Sequence, residues 1–402
     1  MTAVTYDALI IGGGPAGATA AILLADAGWS VALVEKATFP RRKVCGEFLS
    51  ATNLPLLRRL GVAARYEAQA GPAVTHVGLY AGDTVVTANM PGAAASGAAG
   101  DGSGRALGRE HFDTLLVERA AAVGATVFQP WSVMGLAESS GGYHCEVVHR
   151  GTREPRHLRA QIVIAAHGSW ELGPLPTQAA RPEARSSDLF GFKAHYLNGR
   201  LPAGLMPLLV FPGGYGGMVH SDHGRISISG CIRRDHLAMA RRATGSGKAA
   251  DAVLAHVMGS CRGVRDALEG ARLDQDWLSA GPIRPGVRRT GFDRIFLVGN
   301  AAGEAHPAIA EGIGMAMESA SQLCARLVEG QPGAASDTAV AHVQRQYASA
   351  WRRTVAPRIR AAAVIAHWAM RPAAVACGVP IMRAFPGVLR IGARVSGKVA
   401  ST

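Results

Sequence analysis

Aromatic residues make up only 6% of this 402-residue chain. They form no stacking platform interleaved with basic residues, and no nucleic-acid module surrounds them, so a nucleic-acid partner is excluded. The six cysteines (Cys45, Cys145, Cys231, Cys261, Cys324, Cys377) include no C-x-x-C pair. That spacing excludes a zinc ribbon, argues against a disulfide framework and fits a reducing cytoplasm. No apolar run reaches the roughly 20 residues that span a bilayer. No basic segment precedes the first apolar stretch, so no signal peptide is expected. Acidic residues are missing from the tail: after Asp337 there is none. That same tail carries Arg345, Arg352, Arg353, Arg358, Arg360, Arg371, Arg383, Arg390, Arg394 and Lys398. Overall, 42 Lys and Arg face 29 Asp and Glu, a formal charge of +13. Such a balance suits acidic small molecules, an anionic surface or simply a basic solvated face.

What is present is a globular composition, 48% hydrophobic with 50 glycines. The length exceeds one simple core, so two intertwined domains, or one domain plus a cap, are expected. Residues 6–11 form a short apolar run that reads as a buried strand. Gly12-Gly13-Gly14-Pro15-Ala16-Gly17 follows, then a helix-spaced apolar segment over 18–27. A second strand over 29–34 closes with Glu35. In this strand–turn–helix setting Gly12 permits the tight turn, Gly14 admits backbone to a pyrophosphate, and Gly17 lets helix and strand pack closely. The helix start, with Pro15 and Ala16, faces the phosphates, and Glu35 accepts from a ribose. The basic loop behind it, residues 36–50, adds Lys36, Arg42, Cys45 and Gly46 as candidate cofactor contacts.

A second glycine-rich stretch, Leu297-Val298-Gly299-Asn300-Ala301-Ala302-Gly303, continues through His306-Pro307 to Glu311-Gly312-Ile313-Gly314-Met315. Its turn and helix start place backbone N–H groups where an anionic isoalloxazine edge would lie. Arg109 opens a further helix, followed by Phe112-Asp113 and Leu115-Leu116.

With these motifs together, the chain resembles the FAD-dependent oxidoreductases that include group A flavin monooxygenases, geranylgeranyl reductases and flavin halogenases. The likeness covers roughly residues 5–330. It rests on the first glycine turn, on Lys43-Val44-Cys45-Gly46-Glu47, on Arg109 to Asp113 and on Gly299 to Met315. The resemblance implies an α/β fold. A Rossmann-like FAD-binding domain of the glutathione-reductase type would be interleaved with a mixed or antiparallel β-sheet substrate domain and followed by C-terminal helices. It implies FAD against Arg109, the ribityl chain at Gly299-Asn300, and the flavin ring beside Pro307, Gly312, Ile313 and Gly314. The expected FAD-binding parts are 1–74, 105–184 and 281–330. A β excursion over 75–104 ends in a Gly, Ala and Ser-rich mobile loop, 185–280 forms the substrate sheet, and 331–402 is a basic helical region.

Two positions depart from the family pattern: Asn300 stands where Asp is usual, and His167-Gly168 replaces an Asp-Gly tied to FAD and NADPH. The second leaves the electron donor open, NAD(P)H being the expectation. No W-x-W-x-I-P run of halogenases is present; Trp277 stands alone. Candidate catalytic residues are His306, Pro307 and Tyr215, the last within Phe211-Pro212-Gly213-Gly214-Tyr215-Gly216-Gly217. Glu47 and Glu311 are weaker proton-transfer candidates, and no metal is expected at His220, Asp222 and His223, which are close in sequence without the further ligand that a metal site needs.

The expected function is monooxygenation of an aromatic or polyketide-like secondary-metabolite substrate, reduced flavin holding oxygen as a C4a-hydroperoxide. Reduction of isoprenoid double bonds on a lipid-like substrate and a non-catalytic flavin-binding role are the alternatives. For the basic tail, three readings stand: a solvated cap, a dock for an acyl carrier protein, or a peripheral membrane contact. A partner flavin reductase is a further expectation.

Overall fold

The protein is described here by a computed structural model, over residues 4–91, 103–169, 172–178, 183–245, 247–330 and 336–395. Most of the expected mobile loop of 92–104, and Lys398, lie outside the described residues.

Strand Thr5–Ile11 is apolar on both faces and sits mid-sheet, where parallel strands must be buried twice over. It pairs in parallel with Val31–Val34 on one side and with Pro155–Ala165 on the other. Thr126–Phe128 and Ile295–Leu297 extend this parallel sheet outward. Helix Pro15–Asp26 crosses over it, buried from Pro15 through Leu24. Helix Gly312–Gly330 packs beside it, burying Met317, Ala320, Leu323 and Leu327. This is a Rossmann-like layer, with a hairpin added from Trp131–Ser139 and Gly142–His149. The first hairpin strand, 131–139, was not expected from sequence: exposed Met134, Glu138 and a bulge near Gly135 blur its period of two.

The second sheet is mixed. Leu189–Leu197, Ile226–Arg233, Gly214–His220 and Leu205–Phe211 run antiparallel in that spatial order. His76–Ala81 then joins Leu205–Phe211 in parallel, carrying Thr84–Asn89 at the edge. The early excursion of the chain therefore belongs to the later sheet, so the two sheets are interleaved along the chain.

Two helical expectations need correction. The segment 235–258 is two helices, Arg234–Thr244 and Ala249–Ser260, because Gly245 takes a left-handed φ of 62° and stops the first. Pro380 does not break the tail; it lies inside helix Pro372–Ala384. Pro357 and Pro372 instead occupy first-turn positions of helices Ala356–Ala369 and Pro372–Ala384, where a missing N–H costs nothing. Helix Asp337–Thr354 anchors the tail by burying Tyr347 and Trp351, and the Tyr347 hydroxyl donates to Leu297 O at 2.9 Å.

Candidate functional site

One cavity of about 1110 Å³ runs between the two sheets. Its first end is the turn after strand Thr5–Ile11. Gly12 has φ 106°, and a Cβ there would lie 2.7 Å from Ala166 O, so only glycine fits. Gly17 stands behind the turn: its Cβ would meet Gly12 O at 1.9 Å, the close helix–strand approach expected of it. Gly12, Gly14, Pro15 and Ala16 line the cavity. A Cβ on Gly14 would point toward two guanidinium groups, 3.7 Å from Arg109 Nη2 and 3.9 Å from Arg41 Nη2. Glu35 lines the same end and accepts from the backbone N–H groups of Gly13 at 2.7 Å and Ala37 at 2.8 Å.

The cations gathered here are more than the acids answer. Lys36, Arg41, Lys43 and Arg109 all line the cavity. Burial, then the charges of Arg41, Arg109 and Lys36, pull the Lys43 ammonium down to about 8. Arg109 is held by a two-pronged bond to Asp113, at 2.6 and 2.7 Å. Arg41 reaches the same carboxylate at 3.3 Å, yet its Nε and Nη1 are buried without a hydrogen-bond partner. Arg42 likewise has Nε and Nη2 buried and unpaired, but it lies outside the cavity wall that Arg41 occupies. Unpaired buried guanidinium nitrogens beside a glycine turn fit a pyrophosphate.

Further along, Gly299, Asn300, Gly312 and Ile313 line the cavity, with His306 and Pro307. Gly299 has φ 59°, and its N–H donates to Ser319 Oγ at 2.8 Å. Asn300 Nδ2 donates to Glu304 Oε1 at 3.1 Å, while Arg288 holds the Asn300 carbonyl at 2.9 Å. Gly314 faces the other way: its Cβ would meet Asn53 Oδ1 at 2.5 Å, so this glycine serves packing against Asn53. Glu311 is tied up structurally, accepting from Ser50 at 3.1 Å and pairing with Arg358 at 3.3 Å.

Cys45, Gly46 and Glu47 form the cavity wall opposite. Glu47 is fully buried with φ 63°, a conformation that needs outside support in a non-glycine residue. The support comes from a group that sequence reasoning missed. Lys193, fully buried on strand Leu189–Leu197, pairs with Glu47 Oε1; His195, two residues on and on the same face, bonds Oε2 at 2.7 Å. Arg109 N–H adds a bond to Oε1 at 3.1 Å. Burial alone would raise the Glu47 carboxyl, but the His195 hydrogen bond and the Lys193 charge outweigh it and pull it down to about 2. The one available signal was a lysine and a histidine inside the apolar run Phe192 to Leu197.

Tyr215 and His306 meet across the cavity, hydroxyl to Nδ1, at 3.0 Å. Burial, aided by the nearby His367, lowers the His306 imidazolium to about 4. Burial raises the Tyr215 phenol well above its ordinary value, so the hydroxyl keeps its proton beside a neutral ring. His167 lines the cavity next to Gly12 and shares a 2.9 Å bond with Thr177 Oγ1. Trp277 is elsewhere, edge to face with Tyr196 at 6.4 Å. His220 turns to Leu201 O, while His111 and His223 approach Asp222, whose carboxylate also pairs with Arg225.

Fold and site together define a two-sheet flavoprotein with an FAD-binding domain. Residues 5–174 match the FAD binding domain family. With that match the chain carries an FAD-binding domain over its first part. It is 52% identical over 60 residues to a tryptophan 2-halogenase of Chondromyces crocatus, covering 15% of this chain and 11% of that one. It is 31% identical over 136 residues to a menaquinone reductase of Mycolicibacterium smegmatis, 34% of this chain and 32% of the relative. The chain thus spans about a third or less of these curated relatives. Among solved structures, the flavin-dependent brominase Bmp2 matches with a TM-score of 0.74 at 18% identity, over 98% of this chain and 94% of the other. That likeness speaks to the fold.

Proposed function

We propose that this protein is an FAD-dependent monooxygenase acting on an aromatic or polyketide-like substrate. The observation that carries the reading is the continuity of one cavity. It begins at the Gly14 turn beside the unpaired Nε and Nη1 of Arg41, passes Pro307 and Gly312, and ends among Leu79, Met206, Leu208, Trp368 and Leu389. A dinucleotide fits the first part and an apolar ring system the last.

Bound FAD supplies electron transfer and oxygen activation; the chain's own residues supply position, dryness and proton placement. Arg41, Arg109 and the Gly12–Gly14 backbone hold the phosphates. Asn300 and the start of helix Gly312–Gly330 hold the ribityl and ring end. The apolar end excludes water from the reacting centre. Tyr215 keeps its proton and His306 stays uncharged near neutral pH, so the pair offers a neutral, hydrogen-bonded polar contact that orients a substrate hydroxyl at the cavity wall.

The electron donor in this reading is NAD(P)H, used directly or through a partner flavin reductase. His167 occupies the position of an acidic residue in the family pattern, which makes direct reduction slow. Anaerobic rapid mixing with NADPH tests this: slow bleaching of the flavin band, faster in His167→Asp, is expected. Fast bleaching unchanged by the substitution would refute the assigned effect of His167.

A second reading, reduction of isoprenoid double bonds, is favoured by the Lys43-Val44-Cys45-Gly46-Glu47 segment and by the menaquinone reductase relative. Oxygen uptake separates them. Substrate-stimulated, NAD(P)H-dependent oxygen consumption with incorporation of labelled oxygen supports monooxygenation. Turnover without oxygen supports reduction.

A further inference from the structure

The last three helices, Ala356–Ala369, Pro372–Ala384 and Gly387–Val395, have two faces. Inward, Trp368, Met382, Leu389 and Ala393 wall the apolar end of the cavity. Outward lies a second apolar stripe. Helix Pro372–Ala384 contains no buried residue at all. Ala373, Cys377, Ile381, Phe385, Val388 and Ile391 follow one another at three- or four-residue steps, and all are exposed. Phe385 is 68% exposed, Ile391 61% and Ile381 55%, and Val364 on the preceding helix is 71% exposed. Large apolar side chains this bare, recurring at helical steps over one tail segment, mark an interaction face. Around them stand exposed Arg360, Arg371, Arg383 and Arg390. No acidic residue occurs in the chain beyond Asp337 to offset them.

We infer that this face rests on an anionic lipid surface and that the cavity takes its apolar substrate from that surface. An apolar stripe flanked by arginines complements a headgroup layer, which offers acyl chains and phosphates together. An acidic carrier protein would match the arginines but not the stripe. Val364, Val388 and Ile391 both line the cavity and meet solvent, so the rim of the cavity lies in this same face. The substrate half of the inference rests on the flavin reading above; the membrane half does not.

Flotation of the FAD-loaded full chain tests it with vesicles of phosphatidylglycerol and phosphatidylcholine against phosphatidylcholine alone. The protein should float with the anionic vesicles only, and 0.5 M salt should release much of it, on the order of the loss expected when the Debye length shrinks below 5 Å. Arg383→Ala with Arg390→Ala should weaken partitioning roughly 25-fold. Ile381→Glu with Phe385→Glu should weaken it at least about tenfold. These side chains are exposed, so flavin absorbance and melting should stay as in the parent. Cys377 is the exposed cysteine among the described residues. A polarity-sensitive dye there should shift blue on anionic vesicles. Equal flotation of parent and variants, a dye that stays in water, or a blue shift caused by self-association or by an acyl carrier protein without lipid would each overturn the inference. An active monooxygenase that ignores vesicles would overturn the membrane face and leave the reaction standing.

Discussion

The two ends of the cavity are built on opposite principles. The end at Gly12–Gly17 is polar, cationic and tightly held: guanidinium groups, buried acids and a turn that admits only glycine. The end at the last three helices is apolar, comes from a segment without acids and meets solvent at a rim of Val364, Val388 and Ile391. A pyrophosphate has fixed charge and shape, so the residues that bind it are few and their spacing is constrained. An apolar substrate asks only for volume and dryness, which many side-chain combinations provide. The first end therefore carries a motif, and the second carries none.

That contrast breaks first at Glu47, where the two sheets meet. Glu47→Ala would leave Lys193 buried and unpaired, and should cost about 3–5 kcal/mol of stability by urea unfolding. Glu47→Gln, which keeps an acceptor, should cost less. Equal and small losses in both would mean that the ion pair is not what holds the wall.

His306 gives the next largest effect, and its sign is set by a folded value below the unfolded one. Between pH 6.5 and about 4 the unfolded chain binds a proton that the folded chain refuses. Stability contributed by the neutral ring is present above pH 6.5 and is lost as pH falls toward 4, by up to about 3 kcal/mol. The Glu47 contribution is lost lower, between pH 4.5 and about 2. His306→Gln should flatten the upper window alone in melts taken from pH 7 to pH 4; an unchanged slope there would show that other groups set it.

At the cationic end, Arg41→Ala should weaken FAD retention by about 1.5–3 kcal/mol, because Nε and Nη1 of Arg41 lack partners within the chain. Arg109→Ala should weaken retention and also lower stability, since Arg109 neutralises buried Asp113. Fluorescence titration with FAD beside thermal melts separates the two. Identical profiles would mean that only the summed charge matters. Arg105→Ala should show the smallest effect, about 0.5–1.5 kcal/mol in stability from its bond to Gly71 O and no change in FAD retention.

Legibility in the sequence followed the same divide. The strand read over residues 6–11, the glycine turn, Glu35 and the helix starting at Arg109 were readable because each answers a local rule of period, turn or helix start. Gly314 and Arg42 show the limit of motif spacing. Both sit next to the right segment, yet Gly314 turns to Asn53 and Arg41 takes the cavity wall in place of Arg42. Strand Trp131–Ser139 escaped because its outward face is irregular and its partner strand supplies the pairing.

By itself the sequence determined the dinucleotide turn, the buried parallel strands and the acid-free basic tail, since these depend on neighbours within a few residues. Tertiary structure decided the rest. It brought Glu47 to Lys193 and His195 across 146 and 148 residues, and Tyr215 to His306 across 91. It also turned one face of the tail inward as a cavity wall and left the other bare. Those pairings depend on how two interleaved sheets pack, and a buried charge finds its partner only after distant strands have met.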